Sequence, residues 1–138
     1  MQSPATKFEL TEYAPGCLLM RCSGGLSWED RNQLAECVER RIAADTSCRG
    51  LIVDLETVEF INSAGLGALF QLAQRLRSQG RRLILARAQA TFTRLFQLAG
   101  LTRLARTADS FDDAARAMAQ NDDVEITMET ESNGVVRR

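Results

Sequence analysis

The feature that most restricts the fold is a pair of short apolar runs. GLIVDL at residues 50–55 and RRLILARA at residues 81–88 are rich in Leu, Ile and Val and too short for a typical helix. Such runs favour strands that are covered on both faces, as in a parallel sheet. From Gly65 onward, apolar residues recur with a period near 3.6, which predicts a helix that stops at Gly80.

The other patterns complete an alternation of strands and helices. The predicted elements are strands at 7–13 and 16–22 that form a hairpin, a loop at 23–26, a helix from 27 to about 44, a short helix at 91–99, a short edge strand at 101–106 and a last helix from 110. This order predicts an α/β fold whose mainly parallel sheet is built by right-handed crossovers, with the opening hairpin adding an antiparallel edge.

Composition argues against several classes of function. The net charge of −1 does not suggest a nucleic-acid partner, and no apolar run is long enough for membrane insertion. The chain has no histidine and its four cysteines form no CxxC pair, so no metal or cofactor site is predicted. The N-terminus is polar, and we expect a cytoplasmic protein whose cysteines are reduced and mostly small core residues.

The C-terminal residues differ from the rest of the chain. Residues 121–138 carry five acidic residues against two arginines, a net charge of −3, which leaves +2 for residues 1–120. The segment has few apolar residues and no clear period. We therefore expect one domain over residues 1–120, followed by a disordered acidic tail.

Ser63 is the candidate functional residue, because it lies between the first apolar run and the helix that follows it. Ligand and partner sites of open α/β sheets gather at such connections. Asn62 or Ser63 is suited to cap the helix. A nucleophilic role is disfavoured, since the chain lacks both a histidine base and a GxSxG motif. A phosphorylation switch is physically reasonable, because a helix N-terminus stabilises a phosphate whose charge would repel a partner that buries the bare hydroxyl.

The run LIVDLETVEFINSAGLGAL, residues 51–69, resembles the diagnostic motif of STAS domains, in particular of bacterial anti-sigma-factor antagonists. The likeness extends over about residues 7–120. It implies a four- to five-stranded, mostly parallel sheet with an antiparallel N-terminal edge strand and about four helices largely on one face. The family pattern Asp-Ser-Ser-Gly-Leu-Gly corresponds here to Asn62, Ser63, Ala64, Gly65, Leu66 and Gly67.

The resemblance also implies a partner-switching cycle without enzymatic activity of the chain itself. In that family the antagonist binds an anti-sigma factor, a serine kinase of the GHKL type, and so frees a sigma factor. The kinase phosphorylates the serine that corresponds to Ser63, which ends the interaction, and a PP2C-type phosphatase resets the cycle. A homodimer is an open alternative for the oligomeric state.

Two residues of the motif depart from the family pattern. Asn62 replaces an aspartate, so it keeps the capping ability but lacks a negative charge beside the acceptor hydroxyl. Ala64 replaces a second serine, so Ser63 is the single hydroxyl of the motif. These differences keep a second function open, namely a STAS subunit of a phospholipid-transport ABC ATPase or of a stress-sensing complex without a phosphate cycle.

Several neighbours of Ser63 are predicted partner contacts. Gly65 and Gly67 have no side chain and so allow another protein to approach the backbone closely. Asn62 and Ala64, on either side of Ser63, are also predicted to contact the partner. Asp54 ends the apolar run, and a bond to nearby loop amides is as reasonable a role for it as a partner contact. Gly24 and Trp28 lie at the preceding strand-to-helix connection, which should share the same sheet edge, and Trp28 is either an interface anchor or a residue folded over the core.

Overall fold

The structure is a computed structural model that describes residues 7–27, 31–44 and 47–120. Within these ranges the chain forms five strands and four helices, with one 3₁₀ turn, Leu101–Arg103. The strands are β1 (Lys7–Ala14), β2 (Cys17–Leu26), β3 (Gly50–Ile61), β4 (Arg82–Ala86) and β5 (Arg106–Ala108). The helices are α1 (Arg31–Ala44), α2 (Ser63–Ser78), α3 (Ala90–Ala99) and α4 (Phe111–Ala119).

The strands form a single sheet in the order β1-β2-β3-β4-β5. β1 is antiparallel to β2, and β2 to β5 are mutually parallel. The predicted α/β fold with an antiparallel N-terminal edge is therefore confirmed. Because β2 to β5 run in one direction, their C-terminal ends share one edge of the sheet, here called the carboxyl edge, and their first residues share the amino edge.

Helices cover both faces of the sheet unequally. α1, α2 and α3 contribute Leu34, Leu69 and Phe96 to a large apolar cluster on one face. α4 contributes Ala114 and Met118 to a smaller cluster on the other face. Successive residues of a strand point to opposite faces, so the apolar runs of β3 and β4 supply both clusters. The expected arrangement, with most helices on one face, is confirmed.

β2 and β3 are both longer than the sequence predicted. The predicted loop at residues 23–26 is wrong, because β2 continues to Leu26 and pairs with the second half of β3. Two bulges interrupt this pairing, and Gly24 takes a left-handed φ of 80° beside the second bulge. A Cβ on Gly25 would lie 2.2 Å from the Phe60 ring. The two glycines thus allow the strand to continue where they were expected to end it.

Other boundaries agree more closely with the prediction. α1 ends at Ala44 as expected, whereas Trp28 lies outside the described residues and its placement stays a prediction. The predicted acidic tail, residues 121–138, also lies outside them. The predicted edge strand at 101–106 is shifted, since a 3₁₀ turn occupies its start and β5 begins only at Arg106.

The cysteines contribute to the core. None of the four is in a disulfide, and Cys17, Cys22 and Cys48 are buried while Cys37 is half-buried, as expected for small core residues. Burial raises the pKa of the Cys17 thiol from 9.0 to about 11, with a smaller contribution from Cys48. The longest helix of the described ranges, α2, has 16 residues, and none of the helices there is long and apolar enough to cross a membrane.

Candidate functional site

Ser63 is the first residue of α2 and its side chain is exposed. Asn62 precedes it in an extended conformation, and the Asn62 Oδ1 atom accepts a 2.8 Å hydrogen bond from the backbone N–H of Gly65. The structure therefore assigns the cap to Asn62. Within the described part of the chain, the Ser63 hydroxyl forms no hydrogen bond, so it stands at the helix end without a capping role.

The start of α2 is fixed against the end of β2. The backbone N–H of Asn62 donates to the Leu26 carbonyl over 3.2 Å. Gly65 is buried, and a Cβ at this position would lie 2.3 Å from that same carbonyl oxygen. Only a residue without a side chain fits here, so Gly65 sets how closely the helix approaches the strand.

The expected proximity of two strand-to-helix connections is confirmed for Gly24. Gly24 pairs with Val58 of β3, and the pairing of these two strands ends where Leu26 meets Ile61. The Leu26 carbonyl in turn accepts the hydrogen bond from the backbone N–H of Asn62. The end of β2 and the start of α2 thus lie together at the carboxyl edge. Ala64 and Gly67 are half-buried, and a Cβ on Gly67 would meet no atom within 4 Å. Open space around Gly67 is compatible with the approach of another molecule.

The electrostatic environment at this helix end is favourable to an anion. Ser63, Ala64 and Gly65 form the first turn of α2, which contains no acidic residue. The first N–H groups of a helix lack partners within the helix and carry the positive end of its dipole. The amide side chain of Asn62 occupies the Gly65 N–H without adding a charge. The positive potential at Ser63 is therefore not reduced by any carboxylate of its own helix turn.

Asp54 belongs to a different part of the carboxyl edge. It is buried, and it is the last residue of β3 that pairs with β4. Arg87 binds it in a bidentate manner, with Nε at 3.1 Å from Oδ1 and Nη2 at 2.8 Å from Oδ2. Asp54 Oδ1 also accepts the backbone N–H of Glu56 at 3.2 Å. The expected bond to a nearby backbone amide is present, and a partner contact of Asp54 stays a prediction.

Arg87 is a residue that the sequence did not identify. Its φ of 60° is the single positive value among the non-glycine residues of the described ranges. Its guanidinium also pairs with Glu56 at 2.9 Å and lies 4.3 Å from the centre of the Phe111 ring. The hydrogen bond to Asp54 raises the pKa of Arg87 above its usual value. Arg87, which directly follows β4, thereby joins the middle of β3 to the first residue of α4.

Metal ligation finds no support in the described ranges. No group of three or more cysteine, aspartate or glutamate side chains is placed there to hold an ion, and the chain has no histidine. The chemistry available at the Ser63 site is that of one exposed hydroxyl beside unpaired helix amides. Such a site suits group transfer onto the hydroxyl by another protein, or recognition by a partner.

Comparison with known protein families identifies the class. The family model described as "STAS domain" matches residues 10–114. The chain belongs to the STAS domain family. The match includes β3, α2 and the Ser63 junction between them.

Solved structures with the same fold include two anti-sigma factor antagonists. The Bacillus cell fate determinant SpoIIAA in its phosphorylated form has 22% identity and a TM-score of 0.63, over 80% of this chain and 99% of that one. An anti-sigma factor antagonist from Mycobacterium paratuberculosis has 21% identity and a TM-score of 0.68, over 84% and 96%.

A sulfate transporter family protein from Wolinella succinogenes is also similar. It has 16% identity and a TM-score of 0.66, over 78% of this chain and 88% of the other. At such identities these likenesses show the fold. They do not distinguish an antagonist from a transporter-associated domain.

Proposed function

We propose that this protein is an anti-sigma-factor antagonist that binds an anti-sigma serine kinase and is released when Ser63 is phosphorylated. The observation that carries the proposal is the exposed Ser63 hydroxyl at the N-terminus of a 16-residue helix. A buried hydroxyl would have been inaccessible to a kinase. The chain has no catalytic role in this cycle, since the kinase and a PP2C-type phosphatase carry out both reactions.

The chemistry of the switch follows from the helix end. The kinase transfers the γ-phosphoryl group of ATP to Ser63 Oγ, ADP departs and the hydroxyl proton is released. The new phosphate adds about 1.5–2 negative charges, which the N–H groups of the first helical turn and the helix dipole stabilise. The fold therefore tolerates the modification.

The same charge acts differently on a bound partner. A partner that covers the Ser63 hydroxyl would have to remove water from the phosphate. The free energy of this desolvation is larger than the binding free energy of a typical interface. The predicted contact surface consists of Ser63, Ala64, Gly65 and Gly67 with the neighbouring Asn62. Asn62 caps this helix end through its neutral amide, which accepts the Gly65 N–H.

The proposal is tested by intact-mass measurement after incubation with ATP and a GHKL-type anti-sigma kinase from the same organism. The wild type is expected to gain one phosphoryl group and Ser63→Ala none. Ser78→Ala is the matched control, because Ser78 is an exposed serine at the other end of the same helix. Phosphate that persists in Ser63→Ala would refute the assigned acceptor.

Partner binding provides a second readout that does not depend on catalysis. Unmodified protein is expected to capture the kinase, and Ser63→Glu to lose it, whereas Ser78→Glu retains it. Equal capture by all three proteins would contradict the switch. The cycle places the protein in the cytoplasm together with its sigma factor.

The second candidate is a STAS subunit of a phospholipid-transport ABC ATPase or of a stress-sensing complex, with no phosphate cycle. Asn62 and Ala64 favour it, because both differ from the phosphorylated family pattern. The likeness to the transporter-family protein is consistent with it. Affinity capture separates the two, since an ABC ATPase and a GHKL kinase are readily distinguished by mass spectrometry.

A further inference from the structure

β1 is the longer of the two edge strands of the sheet. It has eight residues, whereas β5, at the other side of the sheet, has three. Within the described ranges β1 pairs with β2 alone, so one side of its backbone faces away from the sheet. Backbone N–H and C=O groups on such an outer edge can pair with a strand of another chain, and a very short edge strand offers little room for this. The outer edge of β1 is therefore the edge of this fold that needs protection.

One side chain covers the middle of this outer edge. Arg41, in the last turn of α1, donates from Nη1 to the backbone carbonyl of Leu10 over 3.2 Å. Carbonyls of β1 that face β2 are occupied by amides of β2, so a carbonyl that accepts this side chain is one that points outward. In an antiparallel pair the N–H and C=O of one residue point to the same side, and the side alternates along the strand. Phe8, Leu10 and Glu12 therefore present their backbone groups on the outer edge, whereas Thr11 presents its groups to β2.

The packing of α1 holds Arg41 beside β1. Val38 and Ile42, which flank Arg41 on the helix, are buried in the large apolar cluster. Leu10 packs partly against the same cluster. α1 is thus fixed on the face of the sheet next to β1, and the exposed Arg41 side chain passes over the edge to reach the carbonyl. The contact joins residues 31 positions apart, so it is a product of the tertiary fold.

Few registers allow two copies of β1 to pair about a two-fold axis. Opposite residues of an antiparallel pair point to the same face of a sheet, so the axis must pass through a residue and not between two residues. An axis at Glu9 or at Glu12 would set two carboxylates opposite each other, which destabilises a pair. An axis at Thr11 would include the bulge that follows Glu12. With the axis at Leu10, Glu9 lies opposite Thr11. Phe8 then lies opposite Glu12, and no like charges meet.

The register centred on Leu10 is the one that Arg41 obstructs. In this pairing the N–H of each Leu10 would donate to the carbonyl of the other Leu10, because both groups point outward. That carbonyl oxygen is the atom that Arg41 already occupies. The two Arg41 guanidinium groups, one from each copy, would also meet at the axis, where their like charges repel. The Arg41 contact therefore opposes this pairing both by occupying its central acceptor and by its charge.

We propose that Arg41 closes the outer edge of β1 and keeps two copies of this chain from joining their sheets there. Removal of the Arg41 side chain opens the edge, and the partner that then docks on it is a second copy, paired antiparallel through residues 8–12. This inference goes beyond the proposed function and does not depend on it, since it concerns an edge strand and not the start of α2.

The test is sedimentation velocity of the full chain at concentrations up to about 1 mM, where even weak self-association is measurable. Arg41→Ala is expected to form a concentration-dependent dimer, and the wild type to sediment as a monomer. Arg40→Ala is the matched control, because it removes the same charge from the neighbouring exposed position of α1, and it should also stay monomeric. Equal sedimentation of all three proteins would overturn the proposal. A dimer of Arg40→Ala equal to that of Arg41→Ala would assign the effect to net charge and would also overturn it.

Two further measurements locate the contact in the Arg41→Ala dimer. The Leu10 amide should exchange its hydrogen more slowly in the dimer than in the dilute monomer, whereas the Thr11 amide, bonded to β2, should exchange alike in both. Adding Glu12→Pro removes an outward N–H and leaves the β2 bonds in place, so the dissociation constant should rise about tenfold or more, since two bonds are lost per dimer. Glu12→Gln keeps this N–H and should not weaken the dimer. A dimer with an unprotected Leu10 amide, or one insensitive to Glu12→Pro, would refute the pairing through β1.

Discussion

Gly65 offers the sharpest test of how the Ser63 helix is positioned. In Gly65→Ala the new Cβ would stand 2.3 Å from the Leu26 carbonyl oxygen and 2.8 Å from the Leu26 Cβ. Ordinary contact begins near 3.4 Å, so the atoms would have to separate by about 1 Å. Because most of the obstruction is backbone of β2, no side-chain rotation relieves it.

The magnitude follows from two opposing effects. Alanine in place of glycine stabilises a helix by about 1 kcal/mol, whereas overpacking a tight contact costs about 1–3 kcal/mol or more. Gly67→Ala is the matched control, because a Cβ there meets nothing within 4 Å and α2 contains both residues. We expect Gly65→Ala to lower the free energy of unfolding by about 1–2 kcal/mol, and Gly67→Ala to raise it by about 0.5–1 kcal/mol.

Urea denaturation followed by circular dichroism measures the difference. With a slope of about 2 kcal/mol per molar urea, typical of small proteins, the midpoints of the two variants should differ by about 1 M. Equal midpoints, or a more stable Gly65→Ala, would show that the helix does not approach β2 as closely as the structure describes.

Two further predictions concern buried polar groups. Asp54→Ala should destabilise the fold by about 2–4 kcal/mol, because it removes the buried carboxylate that binds Arg87 in a bidentate manner and leaves Arg87 only the exposed Glu56, whereas Glu56→Ala should cost under about 1 kcal/mol in the same urea experiment. Stability should also fall between about pH 9 and 11 by up to about 3 kcal/mol, since the Cys17 thiol ionises near 9 when unfolded and near 11 when folded. Cys17→Ala should flatten this decline and Cys37→Ala should not; a decline unchanged in Cys17→Ala would contradict the assignment.

The order of elements could be predicted because it depends on local periodicity. Apolar runs and 3.6-residue patterns indicated every helix and the start of every strand up to β4. The second half of β3 was missed, since Glu56, Thr57 and Glu59 are polar and exposed and resemble a loop. Whether such residues form a strand depends on a partner strand, here the end of β2, and the sequence does not display that pairing.

The site was predicted in part for the same reason. Ser63 could be identified from its position between a strand and a helix. Asn62 and Ser63 are equally good caps in sequence, and only the 2.8 Å bond from Gly65 to Asn62 decides between them. Arg87 could not be identified, because its partner Asp54 is 33 residues away and its positive φ is a product of tertiary contacts.

The antiparallel register of β1 determines where attachments can be made. Lys7 pairs with Ser23, so the chain enters the described fold beside the carboxyl edge that carries Ser63. Gln120 leaves it from the opposite edge. A fusion partner or surface anchor placed directly ahead of Lys7 would crowd the serine, whereas one placed directly after Gln120 would lie at the opposite edge of the sheet. Immobilisation for binding measurements should therefore use the C-terminus.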